Sequence, residues 1–335
     1  MKSKFVQKVN SSEWLLADGA MGTNLFDLGL ISGDAPELWN EKYPKKIAKL
    51  HKDSVDAGSD IFLTNSFGSN ALRLKLHNLE NQAFGLSKIS SEIARDVADA
   101  YDKEVFVAGS VGPTGEIMQP IGSLSHELAV EVFHEQAQGL KEGGADLLWL
   151  ETISAPEEFK AAAEAFSYIA LPWVGTMSFD TAGRTMMGTS PLEMVDLISS
   201  MPNKPMAFGA NCGTGAPDLL RTVQDFVKAS PKSILIAKGN AGIPKYVHGR
   251  ILYDGTPELM AKYAVMARNS GATIIGGCCG TKSEHLLSMR SALENEDLGE
   301  VPSLQQIELE IGPFSGQIRK VIKDNNSKRR RRRVL

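Results

Sequence analysis

Eight times along this chain a short β-rich run ends in Gly, Asn, Ser or Asp and gives way to a helical stretch. The runs are WLLADG (14–19), IFLTNS (61–66), VFVAGSVG (105–112), LLWLET (147–152), PWVGTMSF (172–179), MAFGANCG (206–213), SILIAKGN (233–240) and ATIIGGCCG (272–280). Between them lie segments such as PKKIAKLHKDSVDAG, SHELAVEVFHEQAQGLKEGG and PELMAKYAVMARNSG. The last two carry apolar residues at i, i+3/i+4 and i+7, the period of an amphipathic helix, and all three end in Gly, a common helix stop. SPLEMVDLISS opens on Ser190 and Pro191 with Glu193 three residues after the serine, a capping-box pattern. Strands that alternate with helices run parallel, because a parallel pair needs a long crossover that a helix supplies. No strand is followed by a G-x-G-x-x-G turn opening a helix, which argues against a dinucleotide-binding open sheet. The count of eight predicts a closed α/β structure, a (β/α)8 TIM barrel, for which about 250 residues is routine. The barrel is expected over residues 1–295. Residues 296–335 are more polar, with a weak apolar patch (LQQIELEIGPF), and are expected to form a short C-terminal appendage and a disordered basic tail.

In such a barrel the chemistry sits at the C-terminal ends of the strands. The polar residues there are Asp18, Asn65, Ser66, Glu151, Thr152, Cys212, Asn240, Cys278 and Cys279. The chain has three cysteines, and all three are among them. An odd count gives no disulfide framework and points to a reducing, cytoplasmic setting. Adjacent cysteines such as Cys278 and Cys279 do not readily bridge each other. Free cysteine is often an inert core residue. A Cys-Cys pair inside the glycine turn GGCCG, with a third thiol at another strand end, instead fits a catalytic Zn²⁺ held by three thiolates with a fourth position open. The C-x-x-C spacing of a zinc ribbon or finger is not what these residues show.

Charge narrows the classes further. There are 36 Lys and Arg against 40 Asp and Glu, and the run KRRRRR (328–333) holds six of the cations, so the remainder is acidic. A like-charge run is usually solvated, so nucleic acid is not expected as a partner. No apolar run approaches the roughly 20 residues of a membrane span, and MKSKFVQKVNSSEW has no signal-peptide core. A homo-oligomer is compatible with the sequence.

The motifs DGAMGTNL (18–25), LTNSFGSN (63–70), WLET (149–152), GANC (209–212) and GGCCG (276–280) resemble the homocysteine S-methyltransferase family over roughly residues 12–295. The resemblance implies a zinc-dependent barrel that methylates the sulfur of homocysteine to give methionine. It implies zinc ligation by Cys212, Cys278 and Cys279, pairing of Glu151 with the homocysteine ammonium, and a turn at Asp18 and Gly19 lying near the same amino acid. It also implies that Asn240, in KGNAG, can approach the zinc when homocysteine is absent.

LTNSFGSNALRLKLH and WLETISAPEEFKAA look most like bacterial betaine–homocysteine S-methyltransferases. About 55 residues follow GGCCG, which leads us to expect a small onium donor, with glycine betaine, S-methylmethionine and dimethylsulfoniopropionate as candidates, rather than a carrier on further domains. A quaternary ammonium prefers an aromatic cage, for which Trp39, Tyr43, Phe67, Phe179 and Tyr246 are candidates, with Asn65 also on the mouth. Gly68 and Thr152 stand where the animal betaine enzymes have tyrosines, and Leu63 where they have glutamine, so a cage here must be built differently. Arg73, Arg184, His248 or Arg250 could bind a donor carboxylate. Another thiol or a selenol as acceptor is the nearer alternative, and a non-catalytic zinc or nucleic-acid-binding protein the remote one.

Overall fold

The computed structural model describes residues 3–180, 183–243, 245–247 and 250–316. Ten strands occur in it: β1 (Leu15–Leu16), β2 (Ile61–Leu63), β3 (Phe106–Val111), β4 (Leu147–Ile153), β5 (Trp173–Met177), β6 (Ala207–Cys212), β7 (Leu235–Gly239), β8 (Lys245–Val247), β9 (Arg250–Leu252) and β10 (Ala272–Gly277). Eight of them form one parallel sheet in the order β1-β10-β7-β6-β5-β4-β3-β2, and β8 and β9 make a separate antiparallel hairpin. The sheet closes into the expected barrel through a parallel bridge between Ala17 and Ile61. Side chains complete this short seam. Asp60 Oδ2 accepts from Leu16 N at 2.9 Å, and Asp18 Oδ2 accepts from Leu63 N at 2.8 Å.

Period-two alternation sorts the strand residues. Leu147 and Trp149 of β4 and Ile236 of β7 share one apolar cluster with Leu15, Ile61, Phe106, Val174, Ala207 and Ile274, which is the barrel interior. Leu148, Leu150, Leu235 and Ala237 belong to the larger cluster between sheet and helices. The helix Lys4–Ser11 plugs the end of the barrel opposite the mouth. Its Phe5 and Val9 join the interior cluster, and the Phe5 ring meets Phe106, the first residue of β3, edge-on at 5.3 Å.

The apolar patch after residue 295 packs against the barrel helices. Leu304–Glu310 forms a helix with a Ser303/Gln306 capping box, and Ile307, Ile311 and Phe314 are buried in the outer core. Gln224 Nε2 donates to Pro302 O at 2.7 Å, and Ser315 N donates to Asp218 Oδ2 at 2.9 Å, which fixes this segment to the helix Ala216–Ala229. The run 328–333 lies outside the described residues, as do His248 and the side chains of Tyr246 and Arg250. Among the described residues, no helix is long and apolar enough to cross a membrane.

Candidate functional site

Strands β6 and β10 both end at the mouth, and each delivers thiols there. Alternation would turn Cys212 outward, since Phe208 and Ala210 of the same strand face the helices. Its backbone instead takes a positive φ of 60°, followed by Gly213 at 69°. That left-handed turn is unfavourable for a residue with a Cβ, and such conformations concentrate at functional positions. Cys278 and Cys279 follow β10 in a turn closed by Thr281 N donating to Cys278 O at 3.1 Å, with Gly280 at φ 80°. The turn is held to the neighbouring strand by Cys278 N donating to Gly239 O (2.7 Å) and Ala241 N donating to Cys279 O (2.9 Å).

The three sulfurs converge. All lie within 4.8 Å of one another, and Cys212 Sγ is 4.0 Å from Cys279 Sγ. A disulfide would bring them to about 2.05 Å. Thiolates on a tetrahedral zinc, with bonds of about 2.3 Å, stand roughly 3.8 Å apart. The cluster therefore has the spacing of a metal site, and its residues fit zinc. Its electrostatics agree. Hydrogen bonds with Cys278 and Cys279, then burial, push the Cys212 thiol far up, whereas the bonds from Cys212 and Cys278 pull Cys279 down to about 3. Three thiols so close share protons among themselves, and a divalent cation removes that conflict by deprotonating its ligands.

Beside the thiols lies a buried polar layer on the inward positions above Trp149. Glu151 continues the inward face of β4 and accepts a hydrogen bond from Ser110 Oγ of β3 on Oε1. Burial is the main influence on it and raises its pKa, Lys238 lowers it and Cys278 raises it, and the result is about 7. Lys238 follows Ile236 on the inward face of β7, and its Nζ lies 2.7 Å from Asp18 Oδ1. Burial acts against the Lys238 ammonium, but Asp18 and Glu151 outweigh it and hold it charged. Burial lifts Asp18 as well, although the Lys238 contact and the Leu63 N–H act the other way. The two shifts press in opposite senses on the ionised pair. The 2.7 Å contact, with a backbone donor on the second carboxylate oxygen, is the geometry of an ion pair.

Asn211 joins the two halves of the site. Its Oδ1 accepts from Thr152 N (2.8 Å) and Thr176 Oγ1 (2.7 Å), and its Nδ2 donates to Thr152 Oγ1 (2.8 Å) and approaches Cys278 Sγ at 3.7 Å. Asn240 Nδ2 donates to Gly213 O at 3.0 Å, while its buried Oδ1 has no hydrogen-bond partner among the described residues. Gly19 lies where a Cβ would meet the Thr281 carbonyl oxygen at 2.7 Å, so the turn after β1 presses against the turn that carries the cysteine pair.

Other residues singled out from the sequence have different surroundings. Asn65 spends its side chain on the loop after β1, donating to Pro36 O at 2.9 Å and to Asn40 Oδ1 at 3.1 Å. Trp39 is buried with Leu25, Leu30 and Ile47, and Lys46 Nζ stands 4.7 Å from its ring and 5.1 Å from that of Tyr43. Phe67 packs against the Gly112 backbone, and Phe179 sits in the core edge-on to Phe226 at 5.6 Å. Arg184 pairs with Glu193 on the surface at 3.0 Å.

Sequence reasoning missed Lys238, Asn211, Ser110 and Tyr253. The last follows β9 and lays its ring on Gly280, beside the cysteine pair. The available signal for Lys238 and Asn211 was parity: each stands two residues after an inward apolar or small residue, in a strand otherwise poor in polar groups.

The chain is similar to known proteins over most of its length. The chain is 29% identical over 315 residues to a methionine synthase of Mycobacterium leprae, a match that takes in 86% of this chain and 25% of that protein, so the chain spans about a quarter of the relative's length. Crystal structures of the homocysteine methyltransferase MmuM from Escherichia coli, in oxidized and metallated forms, are similar at a TM-score of 0.70 and 26% identity, covering 84% of this chain and 97% of that one. A model of the family described as homocysteine S-methyltransferase matches residues 15–293, the span that contains all eight barrel strands and all three cysteines, and the chain belongs to that family.

Proposed function

We propose that this protein transfers a methyl group from a small onium donor to the thiol of homocysteine, giving methionine, at a zinc site made by Cys212, Cys278 and Cys279. The observation that carries the reading is the convergence of the three sulfurs within 4.8 Å at a barrel mouth that also holds the buried carboxylate of Glu151. Zinc bound there would supply a Lewis acid that keeps a substrate thiol ionised at neutral pH, so that no protein base is needed.

The chain's own residues do the rest. Glu151 pairs with the homocysteine ammonium and so points the thiol end of the substrate at the cysteines. The turn at Asp18 and Gly19 borders the same amino acid. Asn240, held through Nδ2 by Gly213 O, offers an oxygen without a partner among the described residues, suited to facing the cation when no thiol is bound. In the transfer the substrate sulfur forms a bond to the methyl carbon as the onium carbon–nitrogen or carbon–sulfur bond breaks, and the donor leaves as a neutral amine or sulfide. Such a displacement is in line, and holding both partners in register supplies much of the acceleration. The match over 97% of the MmuM chain supports homocysteine methylation by a barrel of this kind.

Glycine betaine is the donor implied by the resemblance in LTNSFGSNALRLKLH and WLETISAPEEFKAA. The Lys46 ammonium already lies over Trp39 and Tyr43, which disfavours these rings as walls of a cage for any onium donor, and S-methylmethionine and dimethylsulfoniopropionate are the alternative donors. The test is methionine formation by zinc-loaded protein from homocysteine with glycine betaine, S-methylmethionine and dimethylsulfoniopropionate in turn. Turnover with one of them is expected, and absence of methionine with all three would overturn the small-donor reading.

A further inference from the structure

Lys238 is 2% exposed, inside the barrel, with its ammonium 2.7 Å from Asp18 Oδ1 and 5.2 Å from the centre of the Trp149 ring. A buried lysine is costly unless it is paired and serves a purpose. Both oxygens of Asp18 are already engaged. One takes Lys238, and the other takes the Leu63 N–H at 2.8 Å. Glu151, also buried, receives Ser110 Oγ on Oε1 alone among the hydrogen bonds described for it, and it is the next strongest attraction on Lys238 after Asp18. The layer thus holds two carboxylates and one ammonium, a set that carries one net negative charge when all three are ionised.

We propose that Lys238 is a positioning residue that sets this charge, so that the pocket presents one uncompensated carboxylate, Glu151, to a single substrate ammonium. The inference rests on the reading of Glu151 as the partner of the homocysteine ammonium. Its physical content is a balance. Without Lys238 two neighbouring buried carboxylates repel, and a proton enters the pair at the expense of the charge that Glu151 offers the substrate. Without the Asp18 charge, Lys238 turns its whole attraction on Glu151 and competes with the substrate ammonium. Removing both charges returns the set to one net negative. Asn at position 18 keeps a carbonyl oxygen for the Leu63 N–H, and Met at position 238 keeps an unbranched chain against Trp149.

The experiment is calorimetric titration of zinc-loaded protein with L-homocysteine for wild type, Lys238→Met, Asp18→Asn and the double variant, with zinc content and thermal melting recorded for each. Each single change should weaken homocysteine binding about tenfold or more with zinc retained, and the double variant should recover to within about threefold of wild type, while binding of 4-mercaptobutyrate, which lacks the ammonium, should stay within about threefold of wild type in all three variants, a selectivity that a purely structural pair would not produce. If one single variant does not fold, the other single and the double variant decide: a loss in the single that the double recovers supports the inference, and a loss of about tenfold or more in the double overturns it. Single variants that fold and bind like wild type also overturn it. Failure of wild type itself to bind homocysteine would bring down the functional reading and this inference with it, whereas normal wild-type binding with no coupling brings down the inference only.

Discussion

Asn211 grips Thr152 at two points, accepting its backbone N–H on Oδ1 and donating Nδ2 to its Oγ1, each at 2.8 Å. Thr152 has a positive φ of 62°, which a β-branched residue adopts only when its surroundings enforce it. The grip joins the residue after Glu151 to the residue before Cys212, and so couples the amino-acid pocket to the thiol cluster. Asn211→Ala removes three hydrogen bonds, with Thr152 N, Thr152 Oγ1 and Thr176 Oγ1, which costs about 2–4 kcal/mol. The variant should melt lower and give up zinc to a chelator more readily than wild type. A melting temperature and zinc retention equal to wild type would remove Asn211 from this role.

Zinc should be found at about one ion per chain. Cys212→Ala, Cys278→Ala and Cys279→Ala should each lower zinc content sharply and cut methionine formation by more than about a hundredfold, since a three-thiolate site has no spare ligand. Metal analysis of the purified variants checks this. A variant with full zinc and full activity would identify a cysteine that is not a ligand.

Glu151→Gln keeps the shape of the side chain and can still accept from Ser110, but it removes the charge. Homocysteine affinity should fall about tenfold to a hundredfold, the worth of a charge-assisted hydrogen bond, with zinc content unchanged. A thiol without the amino group, 4-mercaptobutyrate, should be a poor substrate for wild type and lose little more in the variant. Equal losses for the two thiols would mean that Glu151 acts on the barrel or on the donor instead.

His51 should make folding sensitive to mild acid. It is 1% exposed, tilted against Phe62 at 4.9 Å, and its Nε2 has no partner among the described residues. Burial lowers its pKa to about 3. A group depressed in the folded state contributes stability that is complete above the unfolded value near 6.5 and is lost as pH falls toward the folded one, because the unfolded chain takes up a proton that the native state refuses. Stability should fall by about 1.4 kcal/mol for each pH unit below roughly 6 on this account. Urea unfolding at pH 7.5 and 5.5, for wild type and His51→Leu, measures it. Equal pH dependence in the two proteins would show that His51 contributes nothing to the slope.

Gly19→Ala tests the contact between the turn after β1 and the cysteine turn. The new Cβ would stand 2.7 Å from the Thr281 carbonyl oxygen, a backbone atom that cannot swing aside, so a cost of about 1–3 kcal/mol is expected. Thermal melting reads the stability and zinc affinity reads the displacement of Cys278 and Cys279. If neither changes, the two turns are free to separate without consequence.

Local information sufficed for the outline of this protein. The eightfold repeat, the helix stops and the Ser190 cap were legible because period and turn chemistry are properties of neighbouring residues. The thiols of Cys212, Cys278 and Cys279 were legible as a set because a parallel barrel brings the C-terminal ends of its strands to one rim. The sequence could not tell which way Cys212 points, since period two turns it away from the mouth and only a backbone φ of 60° brings it back. Nor could it say that Trp39 is shielded by Lys46, or that Lys238 meets Asp18 across 220 residues. Those facts depend on strand register and on the closure of β1 against β2. Register decides which polar side chains share a layer, and a charge in a low-dielectric interior is tolerable only where that layer supplies its opposite.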